Sequence, residues 1–159
     1  MRKAIAFTGL SNSGKTTLIE KVATKLLENY KVAIVKHDPK DKAVFDTVGK
    51  DSHKFSSTGA EVAVVSPTRT TYFSQKTSTI DELIEMFGDF DFLLVEGLKT
   101  LPLPRICVAR DEIDDNYIDC CGAIATDGSV DVSEYDTTIL PLNDISVITE
   151  WIINNAKEV

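Results

Sequence analysis

Arginine is scarce in this chain: four residues, Arg2, Arg69, Arg105 and Arg110, in a protein of net charge −8. A surface so acidic and so poor in guanidinium groups does not suit a phosphodiester backbone, so no nucleic acid is expected as a partner. Long apolar runs are missing as well, none approaching the roughly 20 residues that cross a bilayer. The opening Met1-Arg2-Lys3 passes straight into a short strand pattern without an apolar leader, so the expected location is cytoplasmic, with no membrane partner. Three cysteines, Cys107, Cys120 and Cys121, show no CxxC spacing, and two of them are adjacent. They read as small apolar filling in a reducing compartment rather than as metal ligands. Repeats, low-complexity tracts and linkers are absent, and 159 residues suit one domain, 1–159, with one core.

What the chain does have is Gly9-Leu10-Ser11-Asn12-Ser13-Gly14-Lys15-Thr16-Thr17, which fits the phosphate-binding pattern G-x-x-x-x-G-K-[ST]. Its context is the one the motif requires. Lys3 to Thr8 reads as a buried strand entering the loop, and a helical pattern leaves it from Lys15. In such a loop, successive backbone N–H groups converge on phosphate oxygens, and the new helix adds the partial positive charge of its N-terminus. Gly9, Ser11, Asn12, Ser13, Gly14, Lys15, Thr16 and Thr17 are therefore the candidate nucleotide-binding residues. Lys15 would reach the β- and γ-phosphates, and the Thr16 hydroxyl would sit on Mg²⁺.

Beyond the loop, Leu18, Ile19, Val22, Leu26 and Leu27 recur at helical spacing. Lys31 to Lys36 is a short apolar run of the kind buried on both faces of a parallel sheet, and it empties into His37-Asp38-Pro39. Lys40 to Thr58 is polar, with a short helix expected over 50–57 and Gly59 as its left-handed end. Glu61–Ser66 and Thr70–Ser74 read as a hairpin, which would make the sheet mixed. Thr79-Ile80-Asp81-Glu82 is a capping-box signature for a helix over 80–87, with Leu83, Ile84 and Phe87 facing the core. Phe90 to Val95 gives another buried strand, ending in Glu96-Gly97. A carboxylate at that strand end suits a Mg²⁺ or attacking-water partner, alongside Thr16 and, after the second strand, Asp38. Asp38 reads nearly as well as a turn residue before Pro39. Arg105–Ala109 and Gly122–Thr126 are further strands, the latter expected to be the last central one, and Asn143 can cap a final helix bearing Ile145, Ile148, Trp151 and Ile152. The fold class is α/β: a P-loop NTPase-type three-layer fold with a mixed, mostly parallel sheet, its ligand groups at the strand C-termini.

Lys15 and Glu96 are the candidate catalytic groups, because phosphoryl transfer rests on positioning and electrostatics rather than covalent chemistry. Asp127, just past a central strand, could accept from N1–H and N2–H₂ of guanine; Asp127-Gly128 also reads as an ordinary turn.

Taken together, the phosphate loop, Lys36-His37, Asp46-x-x-Gly49-Lys50-Asp51-Ser52, Gly59-Ala60, Glu96-Gly97-Leu98-Lys99 and Arg110 resemble the molybdopterin-guanine dinucleotide biosynthesis adaptor family, usually called MobB. The likeness covers roughly the first two-thirds of the chain. Many relatives carry lysine where this chain has Arg105. The resemblance implies GTP and Mg²⁺ as ligands, at most weak GTPase activity, and a homodimer formed through its sheets. It implies as partner the molybdenum cofactor guanylyltransferase, which joins GMP to molybdopterin. Two other functions share the loop. A small-molecule kinase would want several arginines around its phosphates, and a nucleotide-dependent metallochaperone would want a better ligand set than Cys120-Cys121, His37 and His53.

Overall fold

The computed structural model describes all residues from 1 to 159. In chain order the elements are β1 (Lys3–Thr8), α1 (Lys15–Leu26), β2 (Val32–Lys36), α2 (Asp51–Ser56), β3 (Val62–Val65), β4 (Thr70–Phe73) and α3 (Ile80–Phe87). Then come β5 (Phe92–Glu96), β6 (Arg105–Ala109), β7 (Ala123–Thr126), β8 (Thr138–Pro141), α4 (Ile145–Asn155) and β9 (Lys157–Glu158). They fall into two compact units, Met1–His37 with Phe87–Val159, and Asp38–Met86.

The larger unit holds a seven-stranded sheet in the order β2-β5-β1-β6-β7-β8, with β9 paired to the start of β1. All its neighbours along that path are parallel, and β9 alone is antiparallel. The sheet is thus mixed and mostly parallel, as expected, although its antiparallel member is β9 rather than the hairpin. Strand β1 lies between β5 and β6, so Ala4, Ile5, Ala6 and Phe7 are wholly buried. A short, continuously apolar run is what a strand covered on both faces requires. Against one face pack α1, through Leu18, Ile19, Val22, Ala23 and Leu26, and α4, through Ile148 and Ile152. Their partners on the sheet are Ile5, Phe7, Leu94, Ile106 and Val108. On the other face Cys107, Ala109 and Ile124 are covered by Ile113, Tyr117, Ile118, Val130 and Tyr135. Cys107 is core filling, as its sequence context suggests.

Several expectations need correcting. Strand β2 is not buried on both faces: it is an edge strand, paired only with β5, and Ile34 is 46% exposed. β7 is the last central strand, as read, but the sheet continues to an edge strand the sequence pattern did not reveal: β8 runs parallel beside β7 with Ile124 opposite Ile139. Helix α4 is capped by Asp144, whose carboxylate accepts from the Val147 amide at 3.2 Å, and not by Asn143.

One strand-borne charge is buried outright. Arg105, at the start of β6, has no exposed surface. Its Nη1 donates to the Gly97 carbonyl at 3.1 Å, and its Nη2 reaches the carbonyls of Leu98 (3.2 Å), Lys99 (3.3 Å) and Leu101 (3.2 Å). The guanidinium fork satisfies a loop that runs past left-handed backbone at Gly97 (φ 88°) and Leu98 (φ 47°). A Cβ at Gly97 would also lie 3.0 Å from that of His37. Arg105 therefore fixes the backbone immediately after Glu96.

The smaller unit contains α2, the β3–β4 hairpin and α3 as far as Met86. The hairpin forms a two-stranded sheet of its own, Val62 opposite Phe73 and Val65 opposite Thr70, and does not join the main sheet. Its turn is closed by the Ser66 amide on the Arg69 carbonyl at 2.9 Å. The capping box forms as expected: the Thr79 amide donates to Glu82 at 2.8 Å, and the Glu82 amide donates to Thr79 Oγ1 at 3.2 Å. In α3 Ile84 is buried, whereas Phe87 is 37% exposed. Phe87 is the last helical residue, before left-handed Gly88, and the chain turns there before its ring can be covered.

Candidate nucleotide site

Strand β1 delivers the chain to Gly9, and over Gly9 to Gly14 the backbone changes hand repeatedly. Gly9 (φ 132°), Asn12 (φ 65°) and Gly14 (φ 96°) all have positive φ. Gly9 has no alternative, since a Cβ there would lie 2.4 Å from the Val108 carbonyl oxygen on β6. Such alternation turns successive amides toward a common concavity. Gly14 is the N-cap of α1, no side chain caps that helix, and its first turn contains no acid. The first-turn amides, which have no intrahelical partner, are thus left for an anion.

A cavity of about 420 Å³ opens over this loop, lined by Ser11, Asn12, Gly14, Lys15, Thr16 and Thr17, with Glu96 as its acid. Glu96 is brought in by register: it stands opposite Phe7 across the β1–β5 pair and opposite Lys36 across β2–β5. Its carboxylate also lies 3.4 Å from Lys36 Nζ. Lys15 Nζ curls over the loop and donates to the carbonyls of Gly9 at 3.0 Å and Leu10 at 2.6 Å. Burial pushes the Lys15 ammonium below the usual lysine range, with nearby Glu96 pulling the other way.

Two predicted loop residues play a supporting part. Gly9 is wedged against β6, and Ser13 is buried with its hydroxyl unpartnered by protein. Asp38 belongs to the smaller unit, where Oδ2 accepts from the amides of Lys42 at 2.8 Å and Ala43 at 2.7 Å. That is the geometry of a turn residue. Asp127 does not line this cavity. Its Oδ2 accepts from Arg110 Nε at 2.9 Å, and Oδ1 accepts from the Ser129 amide at 3.1 Å and hydroxyl at 2.6 Å. The Ser129 bonds, ahead of Arg110, hold its carboxyl below the usual range.

Arg110 is the residue that sequence reasoning undervalued. Its Nη1 and Cζ lie 3.7 and 3.9 Å from where a Gly14 Cβ would be, so the guanidinium sits against the last glycine of the loop. The signal was present: like Glu96, it directly follows the buried run of a central strand. Arg105, spent on four carbonyls, offers nothing to a ligand. Nor does the structure gather three or more His, Cys, Asp or Glu side chains that could hold a metal ion.

Comparison with known proteins gives a consistent answer. Residues 4–127 match the family model for MobB, molybdopterin guanine dinucleotide synthesis protein B. A molybdopterin-guanine dinucleotide biosynthesis adapter protein of Haemophilus influenzae is 32% identical, over 94% of this chain and 87% of that protein. The crystal structure of Bacillus subtilis MobB superposes with a TM-score of 0.82 at 25% identity, covering 99% of both chains. A crystal structure of molybdopterin-guanine biosynthesis protein B gives 0.75 at 26% identity, covering 95% of this chain and 98% of the other.

Proposed function

This chain belongs to the MobB family of adapters in molybdopterin guanine dinucleotide biosynthesis, and from that premise we propose that it is a GTP-binding adaptor with slow intrinsic hydrolysis. Its partner would be the guanylyltransferase that attaches GMP to molybdopterin. The observation that carries the nucleotide reading is the single cavity that unites the loop amides, Lys15, Thr16 and Glu96.

The donor set in that cavity suits Mg²⁺. This ion takes one or two protein oxygens and completes its shell with water and phosphate oxygens, and the cavity offers the Thr16 hydroxyl and the Glu96 carboxylate. When bound, it would supply charge neutralisation across the β- and γ-phosphates. Lys15 would exchange its two carbonyl partners for phosphate oxygens, and the first-turn amides of α1 would hold the rest of the polyphosphate. Glu96 would orient the attacking water. Missing from the phosphate cavity is any arginine, a group worth on the order of 10³–10⁵ in rate to such enzymes. The purified protein should therefore turn GTP over far more slowly than once per second. Fast hydrolysis without a partner would contradict this.

We also propose a homodimer, supported by the hairpin of the smaller unit. A lone two-stranded sheet is marginally stable in water, yet β3 and β4 each keep one unpaired edge, with Val65 76% and Tyr72 52% exposed. The test of the adaptor role is affinity capture from the native cell with and without GTP. Recovery of the guanylyltransferase is the expected result. Its consistent absence, together with phosphorylation of a metabolite hydroxyl, would favour a kinase instead.

A further inference from the structure

A second, smaller cleft of about 60 Å³ adjoins the phosphate cavity and shares Gly14 and Thr17 with it. Beyond those two residues its character changes. Leu18, Leu142 and Ile145 give it an apolar wall, and Lys21, Arg110 and Asn143 stand at its polar side. We propose that this cleft receives one face of the nucleotide's purine base, that Arg110 stacks on the base, and that Asp127 positions Arg110 rather than reading the base itself. The inference rests on the nucleotide reading above.

Three observations support it. First, the cleft meets the main cavity at Gly14 and Thr17 and is not lined by Lys15, Thr16 or Glu96, so a triphosphate seated on those three would pass its nucleoside end across Thr17 into it. Apolar walls suit a ring, not a phosphate. Second, the Arg110 guanidinium is held in place from behind. The Asp111 amide donates to Ser129 Oγ at 2.8 Å, Ser129 Oγ donates to Asp127 Oδ1 at 2.6 Å, and Asp127 Oδ2 takes Arg110 Nε at 2.9 Å. A guanidinium fixed edge-on to a carboxylate keeps its flat face for stacking, while its charge is largely spent on Asp127. Third, Asp127 has used three of the roughly four acceptor directions that a carboxylate offers. Reading N1–H and N2–H₂ of guanine would mean giving up Arg110.

The test is calorimetric titration of the full chain with GTP, XTP and inorganic tripolyphosphate, the last a probe with no base. Arg110→Ala should weaken GTP roughly tenfold, from the stacking it removes, and leave tripolyphosphate unchanged. Arg110→Lys, which keeps charge but loses the plane, should recover little of the loss. Asp127→Asn should weaken GTP less than Arg110→Ala does, and adding it to Arg110→Ala should cost nothing further. Arg110 is surface-accessible, and thermal melts should confirm that the variants fold. Unchanged GTP binding in Arg110→Ala would overturn the proposal, as would a proportionate loss for tripolyphosphate, which would make Arg110 a phosphate ligand. A gain of XTP binding in Asp127→Asn would also overturn it, because xanthine carries a carbonyl where guanine has its 2-amino group and would pair with an asparagine reader. A wild-type chain that binds tripolyphosphate but no nucleotide refutes the base site alone. One that binds neither refutes the nucleotide reading with it.

Discussion

Gly9→Ala should abolish measurable GTP binding and lower the melting temperature by about 10 °C. The added Cβ would sit 2.4 Å from a backbone oxygen of β6, and Val108 cannot rotate out of the way as a side chain could. It would also occupy φ 132°, where an L-residue is strained by about 1–3 kcal/mol. With overpacking of about 1–3 kcal/mol added, the total corresponds to a drop of that size in a chain of this length. Relief can come only by moving the loop off β6, and that scatters the amides that face the phosphates. Gly128→Ala separates the two effects. Gly128 has φ 88° with nothing within 4 Å of its missing Cβ, so it should show the conformational penalty of about 1–2 kcal/mol and retain GTP binding. Thermal melts and titration calorimetry on both variants are the check.

Arg105→Leu should be the most damaging substitution away from the loop, costing about 3–5 kcal/mol. Leucine nearly fills the space, but it leaves the Gly97 and Lys99 carbonyls without the donors they have now. It also frees a backbone held left-handed at two consecutive positions. Arg105→Lys should fall between, since one ammonium carries three donors but cannot span the four carbonyls as a planar fork does. Denaturant unfolding would measure both. Because Glu96 directly precedes this loop, Arg105→Leu should also weaken the Mg²⁺ dependence of nucleotide binding more than binding itself.

The parts of the fold that were legible in the sequence are those decided locally. The strand–loop–helix around Gly9 to Thr17, the capping box at Thr79 and the helical spacing of Leu18, Ile19, Val22 and Leu26 each lie within a dozen residues, and each forms as read, although Leu27, read into the same stripe, lies past the helix end and is exposed. What was not legible is decided by pairing across the sheet. Val32 to Lys36 has the composition of a central strand, and nothing in those residues says that only β5 will flank it. β8 ends in Pro141, and β9 is the polar pair Lys157-Glu158; each is a strand only because a neighbour offers it an edge. The same holds at the site. Glu96 was legible because it follows a buried run directly, whereas the Arg110–Asp127 pair joins residues 17 apart on the ends of neighbouring strands. Seen alone, Asp127-Gly128 looks like a turn or a free acceptor. Only the register of β6 against β7, Ala109 opposite Thr126, makes it the anchor of an arginine.

The most direct test of the central claim is titration of purified wild-type and Lys15→Ala protein with GTP in the presence of Mg²⁺. A GTP-loaded adaptor built on this loop should bind one GTP per chain. Lys15→Ala, folded but without its charge-assisted bonds to the phosphates, should bind roughly 100-fold more weakly. Equal affinity in the two proteins, or no GTP binding by the wild type, would contradict the account.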